Sequence, residues 1–506
     1  MRTNKLATVR RKFGKIASLD LVLYATLIFI YVGLRILNIS EIQEARTFPD
    51  SLVYADMASH SILSQDLWGG WRAPGFALIY KLLGLNPYLT SVFHSALSIV
   101  SWSLLAACVA REMRVRWVRI ASFAVVLAFS LSTDIILWDW TLLSESMSLS
   151  LLALFVANWL WLVRSWEWYK AVPLVMIALF WAFTRDSNAY IVLMIAGVLI
   201  VTGIAWRTQR RYLILATIFV AFFIGHNFSS DAKPTQARWT TNLYEVTTQR
   251  ILPFPKRTAY FAQHGMPDTP VVLERARTWN YTDNQVWKRD PRLQEFRDWL
   301  YTHGKSTYMQ FLLSRPLRTA LEPLQYHPRQ ALFLLDRGKP TGQAQYAPAG
   351  FSPILPPSIE QIIYPKKLVY LTDWMDEIVG FQLLGVGVLA MTLVMAILLV
   401  RGRLKNRSKP TKRRTEKFTN KRSLASAFRS ISVRAITSLK QRNATWVIPV
   451  ALIMLAYPHA LLVFHGEPME LGRHAVQMSV QLGVGLWMLL LFAVDIIFTE
   501  VFGRSE

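Results

Sequence analysis

Four carboxylates, Glu41, Glu44, Asp50 and Asp56, crowd the segment that follows the first apolar run of this chain. Its core reads Phe48-Pro49-Asp50-Ser51-Leu52-Val53-Tyr54-Ala55-Asp56. A carboxylate held just above a bilayer can take a proton, hold a cation or grip a polar ligand, and a segment that only joins two membrane spans needs none. Tyr54 falls one helical turn after Asp50, so a helix starting here places both on one face, with Asp50 as its N-cap. That pattern serves a helix cap on a wet loop as well as it serves a general base. Asp56 and Asp66 read as solvated surface carboxylates, with Asp56 held in reserve as a secondary site residue.

Four further constellations carry chemical groups. In Trp138-Asp139-Trp140-Thr141-Leu142-Leu143-Ser144-Glu145-Ser146, Glu145 is expected several residues into an apolar helix. An unpaired carboxylate there is expensive, so it marks function unless it snorkels to the interface. Asp139, between two Trp, has the pattern of an interfacial anchor. Thr184-Arg185-Asp186 puts a guanidinium beside the bilayer, where its forked donors suit a phosphate. The rival is an ion pair with Asp186, or with Glu145 across the bundle. Arg72, in Trp71-Arg72-Ala73-Pro74-Gly75, stands at headgroup level and is placed for a lipid phosphate. The turn from His465 to His474 gathers Glu467, Glu470 and Arg473 with the two His. Its spacing matches no zinc motif, so it reads as a polar helix cap or a ligand site. The chain has no Walker loop, dinucleotide glycine fingerprint, His-Glu-x-x-His, nucleophile elbow or Cys-x-x-Cys, so nothing supports ATP-driven or nicotinamide chemistry.

The elements that must position these groups are membrane helices. Of the 506 residues 53% are hydrophobic and 17% charged, and the apolar residues break into separated runs of bilayer length. Ten are expected, at 19–38, 88–110, 118–137, 142–163, 171–186, 189–206, 212–228, 379–400, 445–464 and 475–498. The fold class is therefore mostly α, a polytopic helical membrane protein of about ten spans. The first run lacks a small-residue cleavage site and reads as a retained anchor.

The net charge of +24 suggests nucleic acid until its placement is read. With the N-terminus inside, more than half of the Lys and Arg fall in short segments flanking the inner ends of spans, as the positive-inside rule expects. The basic stretch 401–442 also carries an apolar stripe (Leu424, Phe428, Ile431, Ala435, Leu439) suited to an anionic leaflet, so no nucleic-acid partner is expected. The expected organisation is a cytoplasmic tail 1–18 and a seven-helix module 19–228 with an external loop at 39–73. An external domain 229–378 follows, then C-terminal helices 379–498 with a basic inner loop 401–444, and a tail 499–506. Ala73–Leu85 reads as a short amphipathic segment with Pro74 in its first turn. The single cysteine, Cys108, lies within a span, so no intrachain disulfide forms.

Taken in order, Asp50-Ser51-x-x-Tyr54, Arg72-Ala73-Pro74, Ser144-Glu145 and Thr184-Arg185 resemble the polytopic glycosyltransferases of the GT-C class, which include protein mannosyltransferases and lipid A aminoarabinose transferases. The resemblance spans roughly residues 19–230 and rests on motif order and topology. Many members carry Asp-Glu where this chain has Asp50-Ser51, and Arg-Pro where it has Arg185-Asp186. The resemblance implies an enzyme of cell-envelope glycan biosynthesis in a bacterial inner or plasma membrane, with both termini cytoplasmic and an extracytoplasmic active site. It would move a hexosyl or pentosyl group from a polyprenyl-phosphate donor to a glycan, lipid or protein acceptor. Asp50 would be the general base and Glu145 its catalytic companion. Arg72, Arg185, Arg473 and His474 would hold the donor phosphate, with Tyr54, Asp56 and Glu470 toward the acceptor. The resemblance leaves open a divalent cation, Mg or Mn, on Asp50 and Glu145. Two other classes fit the same residues: a transporter or lipid-linked-sugar flippase, and a non-catalytic transferase-like subunit.

Overall fold

The computed structural model describes residues 20–37, 45, 47–205, 210–231, 238–278, 286–326, 445–466 and 471–501. Glu41, Glu44, Glu467, Glu470, the span expected at 379–400 and the basic stretch 401–442 lie outside the described residues. Every regular element that is described is helical.

Helix α1 (Asp20–Leu37) leads into a polar segment built from α2 (Pro49–Ser59), α3 (Gln65–Trp68) and α4 (Pro74–Leu82). A bundle follows: α5 (Pro87–Glu112), α6 (Arg116–Ser130), the short α7 (Thr133–Ile136), α8 (Glu145–Arg164), α9 (Trp168–Ala182), α10 (Asp186–Ala205) and α11 (Arg211–Asp231). A loop domain then contains α12 (Arg238–Val246), α13 (Pro255–Gln263), α14 (Pro270–Leu273), α15 (Val286–Arg289), α16 (Gln294–Trp299), α17 (Lys305–Ser314) and α18 (Pro316–Tyr326). The chain closes with α19 (Val447–Gly466) and α20 (Leu471–Val501).

Seven of these helices are long and apolar enough to cross a bilayer: α1, α5, α8, α10, α11, α19 and residues Val476–Ile496 of α20. By length and composition the chain is a multi-pass helical membrane protein. The runs expected at 118–137 and 171–186 fold as α6 and α9, of 15 residues each. At the α-helical rise each extends about 22 Å, short of the ~30 Å hydrocarbon layer. Past Ser130 the chain leaves the helix for α7 and a 3₁₀ turn, Leu137–Trp140. That departure delivers Asp139 to Arg35 of α1, at 2.7 Å.

Buried charges lock the bundle where hydropathy alone leaves helices free to rotate. Arg35 donates to Asp139, to Ser98 Oγ (3.0 Å) and to the Ser130 carbonyl (2.7 Å). Asp139 also accepts from Ser146 Oγ at 2.6 Å. Asp139 is thus a fully buried pairing group, not the interfacial anchor that its flanking Trp suggested. Asp495 of α20 accepts the backbone N–H groups of Arg114 and Val115 (2.7 and 2.9 Å), just ahead of α6. A carboxylate suits a helix start, where amide donors lack intrahelical partners.

Apolar packing forms two main cores. One fills the bundle around Trp102, Trp138, Phe155, Trp181 and Phe219. The other holds the loop domain together around Tyr244, Phe261, Trp287, Phe296 and Leu300, with Tyr244 stacked on Trp287 at 4.5 Å between centroids. The loop domain docks on the end of α19. Arg250 lies 3.7 Å from the Phe464 ring centroid and donates to the Phe464 carbonyl. Tyr308 Oη donates to the His465 carbonyl at 2.9 Å. Burial draws the Arg250 guanidinium down to about 10 and raises the Tyr308 phenol.

Candidate functional site

Helix α2 begins at Pro49, so Asp50 is its second residue and Phe48 the cap. The N-cap expected at Asp50 moves because Ser51 does the capping: its hydroxyl accepts the Phe48 N–H at 2.9 Å. The same hydroxyl donates to the Leu142 carbonyl at 2.8 Å, tying α2 to the segment before α8. Ser51 therefore occupies a buried structural position. The Asp50 carboxylate, relieved of capping, takes Arg72 Nη2 at 2.5 Å.

Tyr54 lies one turn along α2, fully buried, with its ring edge-on to Phe76 of α4 at 4.8 Å. Its hydroxyl donates to Ser144 Oγ at 3.2 Å, and Ser144 immediately precedes α8. Burial raises the phenol above its ordinary value; the charge of Arg72 opposes this, while those of Glu145 and Asp50 add to it. All three ionised groups therefore lie close enough to act on one phenol. Asp56 faces the other way: its side chain is exposed and, among the described residues, pairs with His60 at 4.0 Å, so it does not join the site.

Glu145 is the first residue of α8, not one several residues into it. There its charge is favoured by the helix N-terminus even though the residue is buried. Arg185, in the turn between α9 and α10, donates to Glu145 Oε1 at 3.2 Å. Its other terminal nitrogen meets His474 Nδ1 at the start of α20. An arginine only donates, so Nδ1 is the acceptor in this contact. Of the two rivals for Arg185, the structure selects Glu145; Asp186 is taken by Arg238 (3.0 Å) and His226 (2.8 Å). The side chain of Arg473 and all of Glu470 lie outside the described residues.

One turn deeper, the same three helices meet again through neutral groups. Ser148 Oγ donates to Gln477 Oε1 (3.0 Å), Gln477 Nε2 to Asn188 Oδ1 (2.5 Å), and Asn188 Nδ2 to Ser148 Oγ (2.9 Å). Each stands three residues after a member of the layer above: Glu145 and Ser148, Arg185 and Asn188, His474 and Gln477. The closed ring fixes the rotation of α8, α10 and α20 and so aims the three charged groups at one another. Sequence reasoning missed it. The signal was faint: Ser148, Asn188 and Gln477 each lie about a turn inside a long apolar run, and no local pattern pairs them.

Backbone contact joins the two ion pairs. The Gly75 N–H donates to the Phe183 carbonyl at 2.7 Å, and a Cβ on Gly75 would stand 2.7 Å from that oxygen and 3.1 Å from Thr184 Cα. Only glycine lets the Arg72 segment lie directly on the Arg185 turn. Arg72, Asp50, Tyr54, Glu145, Arg185 and His474 thus gather at one end of the bundle, with the loop domain beside them.

A divalent ion finds a poor site here. Asp50 and Glu145 are each engaged by an arginine, whose charge opposes a metal. Among the described residues no three His, Cys, Asp or Glu side chains gather to hold one. The arrangement instead suits an anionic ligand, for which Arg72 and Arg185 offer charge-assisted donors, beside carboxylates able to take a proton.

Fold and site together define a multi-pass helical membrane protein with a partly buried cluster of paired acidic and basic side chains at one end of its bundle. No family model, no curated protein and no solved structure matches the chain.

Proposed function

We propose that the chain is a membrane glycosyltransferase of the GT-C type. It transfers a sugar from a polyprenyl-phosphate donor to an acceptor hydroxyl on the extracytoplasmic face, with both termini in the cytoplasm. The observation that carries this reading is the clustering of Asp50–Arg72 and Glu145–Arg185 about Tyr54. It brings together motifs that lie far apart in sequence, each of which resembles a transferase element.

In this reading the acceptor oxygen attacks the anomeric carbon and its proton passes to Asp50. The bond from that carbon to the phosphate oxygen breaks, and the electron pair leaves with the lipid phosphate. Arg72 and Arg185 stabilise the charge that grows on the leaving phosphate. Arg72 has two suitors: in the free protein it neutralises Asp50, and an arriving phosphate draws it away and leaves Asp50 able to accept a proton. Glu145 holds Arg185 in position through the buried pair, and His474 supports the same guanidinium from α20.

The test is transfer from a labelled polyprenyl-phosphate sugar in membranes containing the full chain. Asp50→Asn is expected to abolish transfer with expression unchanged; full transfer by that variant removes Asp50 as the base. A second reading, a transporter or lipid-linked-sugar flippase, draws on the neutral groups that continue below the site. Past Ser148, Asn188 and Gln477, Gln481 meets His459 Nδ1 at 3.1 Å inside the bundle. Movement of a solute or lipid-linked sugar across vesicles, with no sugar consumed, would decide for it.

A further inference from the structure

Two arginines of the proposed site, Arg72 and Arg185, lie on separate segments, 70–75 and 183–186. Gly75 N–H to Phe183 carbonyl, at 2.7 Å, stitches those segments together at one end. The opposite end is held by a residue with no part in the proposed chemistry. Arg238, the first residue of α12 in the loop domain, is 4% exposed and spends its guanidinium on both segments. Its Nε donates to the Gly70 carbonyl (3.1 Å) and its Nη2 to the Trp68 carbonyl (2.7 Å), while Nη1 meets Asp186 Oδ1 (3.0 Å). Nη2 also donates to Ser229 Oγ at the end of α11, at 2.7 Å.

We propose that Arg238 is a positioning residue that sets the separation of Arg72 and Arg185, making the first helix of the loop domain part of the phosphate-binding site. This rests on the transferase reading for its kinetic consequence, though not for its geometry. Three observations carry it. The planar fork reaches two segments at once, as a lysine ammonium on a flexible stem does not. The acceptors adjoin the site in sequence: Asp186 follows Arg185, and Gly70 precedes Arg72 by two residues. The first segment is closely packed from the other side, because a Cβ on Gly70 would stand 2.6 Å from the Asp66 carbonyl and 2.9 Å from Met57 Cγ of α2. The loop 66–70 is thus wedged between Arg238 and the helix that carries Asp50 and Tyr54. His226 Nε2, also on Asp186 Oδ1, braces the shared carboxylate.

A rigid clamp at both ends confines the span between the arginines, and a shift of a few tenths of an ångström there weakens binding of a doubly held phosphate. Arg238→Lys keeps the charge and loses the fork. Arg238→Ala opens a space that free guanidinium ion fits. Arg297→Lys is the control. Arg297 is also buried, but it donates to the carbonyls of Trp287 (2.8 Å) and Asp290 (2.6 Å) and to Gln294 (2.6 Å), all within the loop domain.

The experiment pairs hydrogen exchange on the full-length protein in lipid nanodiscs with transfer kinetics. Arg238→Lys is expected to lose amide protection in 68–76 and 183–188 while 243–278 and 286–311 stay protected. The donor KM is expected to rise about tenfold or more, with the acceptor KM unchanged. Millimolar guanidinium is expected to restore part of the loss in Arg238→Ala. Arg297→Lys is expected to loosen 286–300 and leave donor KM alone. Unchanged protection in both segments of Arg238→Lys overturns the proposal, as does an equal rise in donor KM from Arg297→Lys. If the wild-type protein transfers no sugar, the transferase reading fails, and the exchange data alone still decide whether Arg238 holds the two segments.

Discussion

Gly75→Ala isolates the contact on which the convergence of the two ion pairs depends. The added Cβ would stand 2.7 Å from the Phe183 carbonyl oxygen, 3.0 Å from its carbon and 3.1 Å from Thr184 Cα. All three are backbone atoms, so no side chain can swing away. Ordinary contact begins near 3.4 Å, and the Arg72 segment must retreat from the Arg185 turn by several tenths of an ångström. Overpacking of this kind costs about 1–3 kcal/mol, and the weakened Gly75 N–H bond adds about 1 kcal/mol. Against this stands a helix-propensity gain of at most about 1 kcal/mol, reduced because Gly75 sits in the first turn of α4. The net loss is roughly 2 kcal/mol, up to about thirtyfold in the folded-to-unfolded ratio. Gly197→Ala in α10 is the comparator, since nothing lies within 4 Å of its Cβ position. Unfolding midpoints in a denaturing-detergent titration, with exchange of the Gly75 amide, measure the first effect. Transfer assays measure the second, where misplacing Arg72 against Arg185 is expected to cost roughly tenfold. If Gly75→Ala unfolds with Gly197→Ala and keeps wild-type transfer, the segments are not held by this contact and the account of the site is wrong.

Two other outcomes follow from the buried charges. Glu145→Gln or Arg185→Gln leaves one buried charge without its partner and is expected to cost about 3–5 kcal/mol each. The double variant is expected to cost clearly less than their sum, and simple additivity in a double-mutant cycle would count against the pair. Lys288 of the loop domain lies 3.9 Å from the Trp71 ring centroid, and burial draws its ammonium from 10.5 down to about 8. Between those values the unfolded chain holds the proton more tightly than the folded one. Stability relative to Lys288→Met is therefore expected to rise with pH from about 8 to 10.5, and a flat or falling difference would refute the assignment.

Much of the architecture was legible because it depends on contiguous residues. Bilayer-length apolar runs mark α1, α5, α8, α10, α11, α19 and α20 without reference to any partner. Pro74 signals the start of α4, and the four-residue spacing of Asp50 and Tyr54 puts them on one face of α2. Partnership was not legible. Asp139 resembled an anchor because its local company is aromatic; its actual partner, Arg35, stands on α1. Ser51 resembled a missing carboxylate, yet its hydroxyl serves two backbone groups. Arg238 gave no signal among the many basic residues of the chain, since its importance lies in four acceptors spread over three segments.

The sequence by itself determined a helical membrane bundle and a short roster of ionisable groups near helix ends, because hydropathy and helical period are local properties. Only the tertiary structure decided which of those groups meet. Arg185 had Asp186 beside it in the chain and took Glu145 instead. The rotation of α8, α10 and α20, fixed by the ring of Ser148, Asn188 and Gln477, turns Glu145 and His474 toward it, while Arg238 and His226 claim Asp186. Helix rotation is set by packing between segments far apart in sequence, and no local pattern encodes it.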